Sequence, residues 1–445
     1  MDSLKQDTRC GADLLTLLLM LGVARVMAGF WFTPQYSDFG SFHYPFATLS
    51  LEGYYPFVHY WLEYPPVFPY LSLAVARVLG IFWTVGEAPH FQAYSVTLQA
   101  ITGIVDVLNA WLIFHLVARR SGRDRGLFAA LAFCVSFAAA FVAAGFFDGL
   151  ALLTMLFGLK AWLDDRPLHA GVALGLGGAI KILPLVLLPA FVKCRRSSAS
   201  LTRLGLAVGA TMLAVWGIFL LADAERPLMP LRANSVRQPW ETVWALIEKQ
   251  YFFGALVPAP NAELAIESEV REAVEALPFF AEDGRPVTGG KRRILVRRVL
   301  SRFQPNLDVF PGMRQPLIYT LAGIAFLVLF IGSWRKVPAT AADCLLPYSA
   351  FLFTLALIYS KGWSPQFVLY PVAFILMIFP TPRGALLALA LMLLNFLEMP
   401  IWVYHVMPLP TAGPAMLIVL VLARTLFLAW LVWAFYRKIL ERDAV

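Results

Sequence analysis

Charge is scarce in this chain. Only 14% of its 445 residues are Asp, Glu, Lys or Arg, against 60% hydrophobic residues, a balance that excludes an ordinary soluble protein and places the chain among polytopic membrane proteins. Cysteine is scarce as well. Cys10, Cys194 and Cys344 fall on or near the expected cytoplasmic side and Cys134 within a helix, so no extracytoplasmic disulfide is expected, and their spacing fits no zinc motif. There is no repeat of 20–50 residue period, no low-complexity segment, and no Walker or dinucleotide fingerprint. A chain of buried acids of the kind a proton-driven pump needs is also missing. The net charge of +8 requires no nucleic acid, because basic residues at the cytoplasmic ends of membrane helices produce the same excess.

What the chain does have is a series of apolar runs. Leu14 to Phe32 is close to a full crossing of ~20 residues and no A-x-A-like site closes it, so it reads as a first transmembrane helix rather than a signal peptide. Later runs are separated by short polar joints, most rich in Arg or Lys: Arg119 to Arg125, Asp164 to Pro167, Lys193 to Arg196, Trp334 to Lys336, Thr381 to Arg383 and the tail from Tyr436. The positive-inside rule puts these joints and both termini in the cytoplasm, which demands an even number of crossings between successive joints. Pro65 to Val85 is therefore expected to lie along the outer leaflet, with Arg77 reaching the headgroups, and Tyr94 to Val117 to be the second crossing. The other expected helices are Leu127–Ala144, Phe147–Leu163, Leu168–Ile180, Leu183–Val192, Leu201–Ala222, Pro316–Gly332, Leu345–Ser360, Phe367–Phe379, Gly384–Tyr404 and Ala415–Phe435, about twelve in all. The runs flanking Lys181 are too short for two full crossings, and Pro184 limits the second. The expectation is an all-α polytopic membrane protein forming a single domain over 1–445, with a first extracytoplasmic loop at 34–93 and a long one at 223–315.

Polar residues gather at the outward joints. Asp38 lies in an aromatic first loop beside Tyr36, His43 and Tyr44, where a carboxylate can remove a proton from an arriving hydroxyl or simply be solvated. Glu63 precedes Tyr64 and the Pro65-Pro66 pair, which fixes an extended turn; it reads as a second site carboxylate or a structural hydrogen-bond group. Asp148 opens a helix at the next outward joint, as a functional acid or a cap. Lys181, at the apex of GVALGLGGAIKILPLVLLPAF, could hold a lipid phosphate or snorkel, and the glycines before it read as close helix packing. Lys361, Ser364 and Gln366, near Trp363, and later His405 could complete a polar ceiling, although an interfacial aromatic belt also explains the aromatics. The basic run KRRILVRRVLSR from Lys291 to Arg302 is either a helix resting on anionic headgroups or a grip on an acidic or lipid-phosphate acceptor. Arg25–Asp106 and Glu398–Arg424 are the pairings that would neutralise charges within spans.

An acid in the first outward loop, the turn E-Y-P-P-x-F before a surface helix, F-D-G-L-A-L-L at the next outward joint and A-G-V-A-L-G-L-G-G-A-I-K-I-L-P-L-V-L-L-P together resemble the GT-C superfamily of membrane glycosyltransferases. Within it the chain is most similar to the polyprenol-phosphate-mannose-dependent enzymes of family 87, over about Leu14 to Val192 and again at Ser360 to Gln366. The resemblance implies a GT-C-type helical bundle in a bacterial inner membrane with its active site facing outside. It implies transfer of a sugar, mannose by preference, from a polyprenyl phosphate to a hydroxyl of a glycolipid, glycan or protein, with Asp38 as catalytic base. The family often has two neighbouring acids in this loop, whereas here Asp38 stands alone until Glu52, so Asp148, Glu63 or no second acid remain open. Such a donor carries its own leaving group, so one base suffices and inversion follows. Lys181, Lys361 or a loop arginine would meet the departing phosphate. No DxD pair or other carboxylate cluster stands in the first loop, so no cofactor and no metal is expected. The rival class is a transporter or lipid flippase, which usually shows two related halves and a midplane site.

Overall fold

The computed structural model describes residues 22, 38–136, 145–194, 197–251, 256–281, 283–304, 306–337, 344–407, 409 and 413–441. The first expected membrane helix thus lies outside the described residues except for Gly22, as do Arg25 and Tyr36. Among the described residues all regular structure is helical, with a few isolated bridges and no strand.

The first loop opens with a wide turn, Phe39–His43, that runs into α1, Tyr44–Leu51. After the Pro65-Pro66 corner comes α2, Val67–Leu79; thirteen residues rise only about 20 Å, too short to cross a hydrocarbon core of about 30 Å. Next is α3, Ala88–Ser121, which contains the expected second crossing and stops at Gly122, held at φ +90°, where a side chain would be strained. A short return, α4, Arg123–Cys134, is followed by α5, Asp148–Leu163, and α6, Pro167–Ile180. The expected break around Lys181 forms. A 3₁₀ turn at Leu183–Leu187 leads to the short α7, Leu188–Lys193, with a proline near the start of each, before the long α8, Ser198–Ala222, capped by the Ser197 hydroxyl.

The glycines of α6 explain how these helices approach. A Cβ on Gly171 would lie 2.5 Å from the Leu204 carbonyl oxygen of α8, and one on Gly177 would lie 2.3 Å from Thr154 Oγ1 of α5 and 2.9 Å from Pro184. Close helix packing, rather than a phosphate loop, is their role.

The long loop carries α9, Met229–Val236, α10, Val243–Ile247, α11, Ser268–Ala276, and α12, Gly289–Leu300. The bundle then resumes with α13, Pro316–Lys336, α14, Leu345–Tyr359, α15, Leu369–Ile378, α16, Pro382–Phe396 with an irregular continuation Leu397–Val406, and α17, Ala415–Leu440. Among the described residues five helices are long and apolar enough to cross a membrane: Ala88–Ser121, Ser198–Ala222, Pro316–Lys336, Pro382–Val403 and Ala415–Leu440. Four more of the expected spans form shorter apolar helices, within Pro167–Ile180, Leu183–Lys193, Leu345–Tyr359 and Pro365–Ile378. In α15 every residue is buried, so protein rather than lipid sets its length. Glu398 and Arg424 do pair, and Arg424 also donates to the Glu241 carbonyl.

Three buried apolar clusters form among the described residues. One runs through α3 to α7 and α14 to α17. A second packs Phe42, Phe46, Tyr60 and Trp61 of the first loop against Met229, Leu277, Val299 and Phe310 of the long loop, with Trp216 and Phe219 of α8 resting on it, and a third joins Met399, Trp402 and Val403 to Leu417, Leu420 and Val421. The first loop and the long loop therefore lie on one side of the bundle as a single cap. Cys134, Cys194 and Cys344 are buried free thiols.

Candidate functional site

Asp38 sits at the seam between the bundle and this cap, one residue before the wide turn that carries Phe39 and His43. It is partly buried, and Tyr64 donates its hydroxyl to Asp38 Oδ2 at 3.4 Å. Burial raises the Asp38 carboxyl to about 6, against the opposing pull of Arg298 and Lys181; Asp148 and Glu63 add a smaller upward push. Four charged groups therefore act on Asp38, supplied by α5, the residue after α6, α12 and the later part of the first loop.

The floor is aromatic. Phe68 stacks on Phe147 with centroids 4.1 Å apart, and the His43 ring lies edge-on to Phe68 at 4.7 Å, to Phe42 at 4.9 Å and to Phe147 at 5.6 Å. His43 is buried, and burial with the nearby Arg298 and Lys181 holds its imidazole well below the ordinary histidine range, hence neutral. Its Nε2 is buried without a hydrogen-bond partner.

Each neighbouring acid is already matched. Lys181 Nζ lies 2.7 Å from Asp148 Oδ1, and the Tyr370 hydroxyl donates to the same oxygen at 2.9 Å. Lys181 is thus neither snorkelling nor free; its ammonium also stands 4.6 Å from the Phe367 ring centroid and 5.8 Å from that of Tyr64. Asp148 is the first residue of α5, and its carboxylate is held in this ion pair. Glu63 is held by Arg302, at 2.5 Å from NH2 to Oε1 and 3.4 Å from Nε to Oε2. Burial would raise the Glu63 carboxyl, but Arg302, Arg298 and Arg237 outweigh it and hold it below the usual range. Glu63 is thus engaged in a buried ion pair with Arg302.

Three arginines of the long loop complete the electrostatics. Arg302 is fully buried and spends its remaining donors on Ser301 Oγ and the Leu256 carbonyl. Arg237 lies over the Trp240 ring at 3.7 Å, and burial lowers it to about 10 despite the opposing charge of Glu63. Arg298 differs from both. Its guanidinium lies 4.4 Å from the Phe42 centroid and its Nε is buried with no partner. The sequence flagged the basic run without singling out these residues. The available signal was the mixed pattern of the run, in which apolar Val296, Val299 and Leu300 alternate with Arg298 and Arg302; Arg298 lies on α12 and Arg302 in the turn just after it.

The other expected site residues stand apart from Asp38 or are otherwise engaged. The Tyr44 hydroxyl is taken by His90 Nδ1 at 2.8 Å and by the Gly86 amide, among Phe91, Tyr94 and Phe280, so it braces the cap. Lys361 donates to the Asn234 and Ser235 carbonyls, and Ser364 accepts from Trp240 Nε1 at 3.4 Å. Lys361 thus ties the end of α9, and Ser364 ties Trp240, to the segment that follows α14. Trp240 packs so tightly there that a Cβ on Gly362 would fall 2.0 Å from its ring. Gln366 is buried beside Phe367 with Oε1 unpartnered, whereas His405 is exposed. Among the described residues no three His, Cys, Asp or Glu side chains converge on a common point.

Residues 61–246 match the family model described as Glycosyltransferase family 87. The family resemblance carried by the motifs is shown over that stretch, which includes Glu63, Asp148, Lys181 and Arg237 but neither Asp38 nor Arg298, and a membrane glycosyltransferase is the class it supports. No curated protein matches. Among solved structures, ArnT from Cupriavidus metallidurans bound to undecaprenyl phosphate is 13% identical, the alignment covering 96% of this chain and 78% of that one with a TM-score of 0.34. The apo Archaeoglobus fulgidus oligosaccharyltransferase is 14% identical over 96% of this chain with a TM-score of 0.40. This chain spans only 56% of that protein's length.

Proposed function

We propose that this family 87 chain is an inverting glycosyltransferase that moves a sugar, mannose by family, from a polyprenyl phosphate to an acceptor hydroxyl on the extracytoplasmic side, with Asp38 as general base. One observation carries the assignment. Glu63 and Asp148 are each committed to a cation at 2.5 and 2.7 Å, whereas among the described residues Asp38 holds only the long Tyr64 hydrogen bond and is raised to about 6, near a working pH.

In the step itself the acceptor oxygen attacks the anomeric carbon as its proton passes to Asp38. The bond from that carbon to the phosphate oxygen breaks, and the phosphate leaves with the electron pair. No proton donor is needed for such a leaving group, which removes the demand for a second acid. Arg298, with an unpartnered buried Nε, and the Lys181 ammonium, both of which act on Asp38, offer positive charge for the departing phosphate without a metal. Neutral His43 presents Nε2 as an acceptor for a sugar hydroxyl, and the Phe68–Phe147 stack offers an apolar face for the ring. The acceptor is a glycolipid, glycan or protein, and the bundle around the site is of GT-C type with about twelve crossings.

Transfer of radiolabelled sugar from a synthetic polyprenyl phosphate in membranes tests this. Asp38→Asn is expected to abolish product at unchanged expression; undiminished transfer removes Asp38 as base. Movement of the donor across the bilayer with no glycosylated product would instead establish the flippase reading.

A further inference from the structure

The far end of the bundle carries a second feature that the transfer reaction does not use. Helix α13 is long enough to match the hydrocarbon core, since its 21 residues rise about 31 Å. Yet Ser333 alone is buried in it. Its neighbour across the gap, Leu183–Lys193, is broken by Pro184 and Pro189 into a 3₁₀ turn and a single short helix. The two elements differ too much in length and regularity to interlock, and an open groove of about 540 Å³ is left between them.

The groove wall is Leu188, Pro189, Val192, Phe330, Ile331 and Trp334, and its end is Arg335. Lys193 closes the same end, with its ammonium 5.4 Å from the Trp334 ring centroid, and Lys336 follows on the helix. Among the described residues, none of these three cations forms an ion pair. An apolar slot at membrane depth that ends in unneutralised cations and an amphipathic tryptophan has the chemistry of a chain-and-phosphate ligand.

We propose that this groove binds an anionic phospholipid, one acyl chain lying along Leu188, Val192 and Ile331 and the headgroup phosphate meeting Lys193 and Arg335. The basic joints at 193–196 and 334–336 put this end on the cytoplasmic side by the positive-inside pattern. It is thus the opposite face of the membrane from Asp38, and a structural lipid rather than the sugar carrier is the occupant that fits. Such a lipid would fill the space that the broken segment leaves beside α13.

Native mass spectrometry and thermal unfolding of the full chain in detergent, with added phosphatidylglycerol, phosphatidylcholine or polyprenyl phosphate, test the proposal. Phosphatidylglycerol is expected to bind and to raise the midpoint, phosphatidylcholine to do so at least tenfold more weakly. The double variant Lys193→Gln, Arg335→Gln should lose that preference while retaining its own fold by circular dichroism. Val192→Trp, which fills the slot and keeps both cations, should lose the bound lipid independently and stands in if the double variant fails to fold. Equal response to the two phospholipids, an unchanged preference in either folded variant, or displacement of phosphatidylglycerol by polyprenyl phosphate from this site overturns it.

Discussion

Arg302 donates to both carboxylate oxygens of Glu63, at 2.5 and 3.4 Å, across 239 positions of sequence. This pair welds the first loop to the long loop just beside Asp38, reinforced by the Trp61 amide donating to the Arg302 carbonyl and the Trp61 indole donating to that of Gln304. Removing one partner from a buried pair leaves the other uncompensated and costs about 3–5 kcal/mol. Arg302→Ala is therefore expected to destabilise the cap by that order, read by thermal unfolding in detergent, and Glu63→Gln in the same background should recover part of it. Because the Glu63 carboxyl is depressed in the folded protein, its contribution is present above the ordinary carboxylate range and is lost as pH falls through it.

Asp38 obeys the opposite sign. Burial raises it to about 6 from a reference of 3.8, so the folded state holds the proton more tightly than the unfolded chain and is progressively destabilised as pH rises between these values. Asp38→Asn should abolish transfer yet raise stability at pH 7 by of order 1–3 kcal/mol, a gain that vanishes below about pH 4. In the wild type kcat/KM should fall tenfold per unit on the acid side of about pH 6. A flat profile from pH 5 to 8 would remove Asp38 from the base role.

Arg298 carries the largest expected loss among the cations. If its guanidinium, whose Nε is unpartnered, meets the departing phosphate, Arg298→Gln should lower kcat by about 10²–10³, with Arg298→Lys recovering charge but not the planar geometry and so only part of the rate. A loss confined to KM would assign it to donor binding alone.

Gly177→Ala tests the packing that sets Lys181 in place. The added Cβ meets Thr154 and Pro184 inside 3 Å, and overpacking of this kind costs about 1–3 kcal/mol. Transfer should fall together with stability, whereas Gly205→Ala, whose Cβ meets nothing within 4 Å, should leave both unchanged.

Much of this was legible in the residues. The apolar runs and prolines specified most of the described helices and the break at Lys181. Asp38, Asp148 and Lys181 were recognisable because an ionisable group among apolar neighbours needs a purpose. The partners were not legible. Nothing local tells Lys181 to choose Asp148 over solvent, Lys361 to brace the Asn234 and Ser235 carbonyls, or Tyr44 to bond His90 instead of a ligand.

By itself the sequence determined which segments are apolar enough to leave water and which polar residues share an aqueous edge, because hydropathy and helix propensity act over neighbouring residues. Only the tertiary structure decided which acid stays available. Ion pairing is settled at a few ångströms, between Glu63 and Arg302 or Asp148 and Lys181, and that proximity arises from the shared core of two loops far apart in the chain.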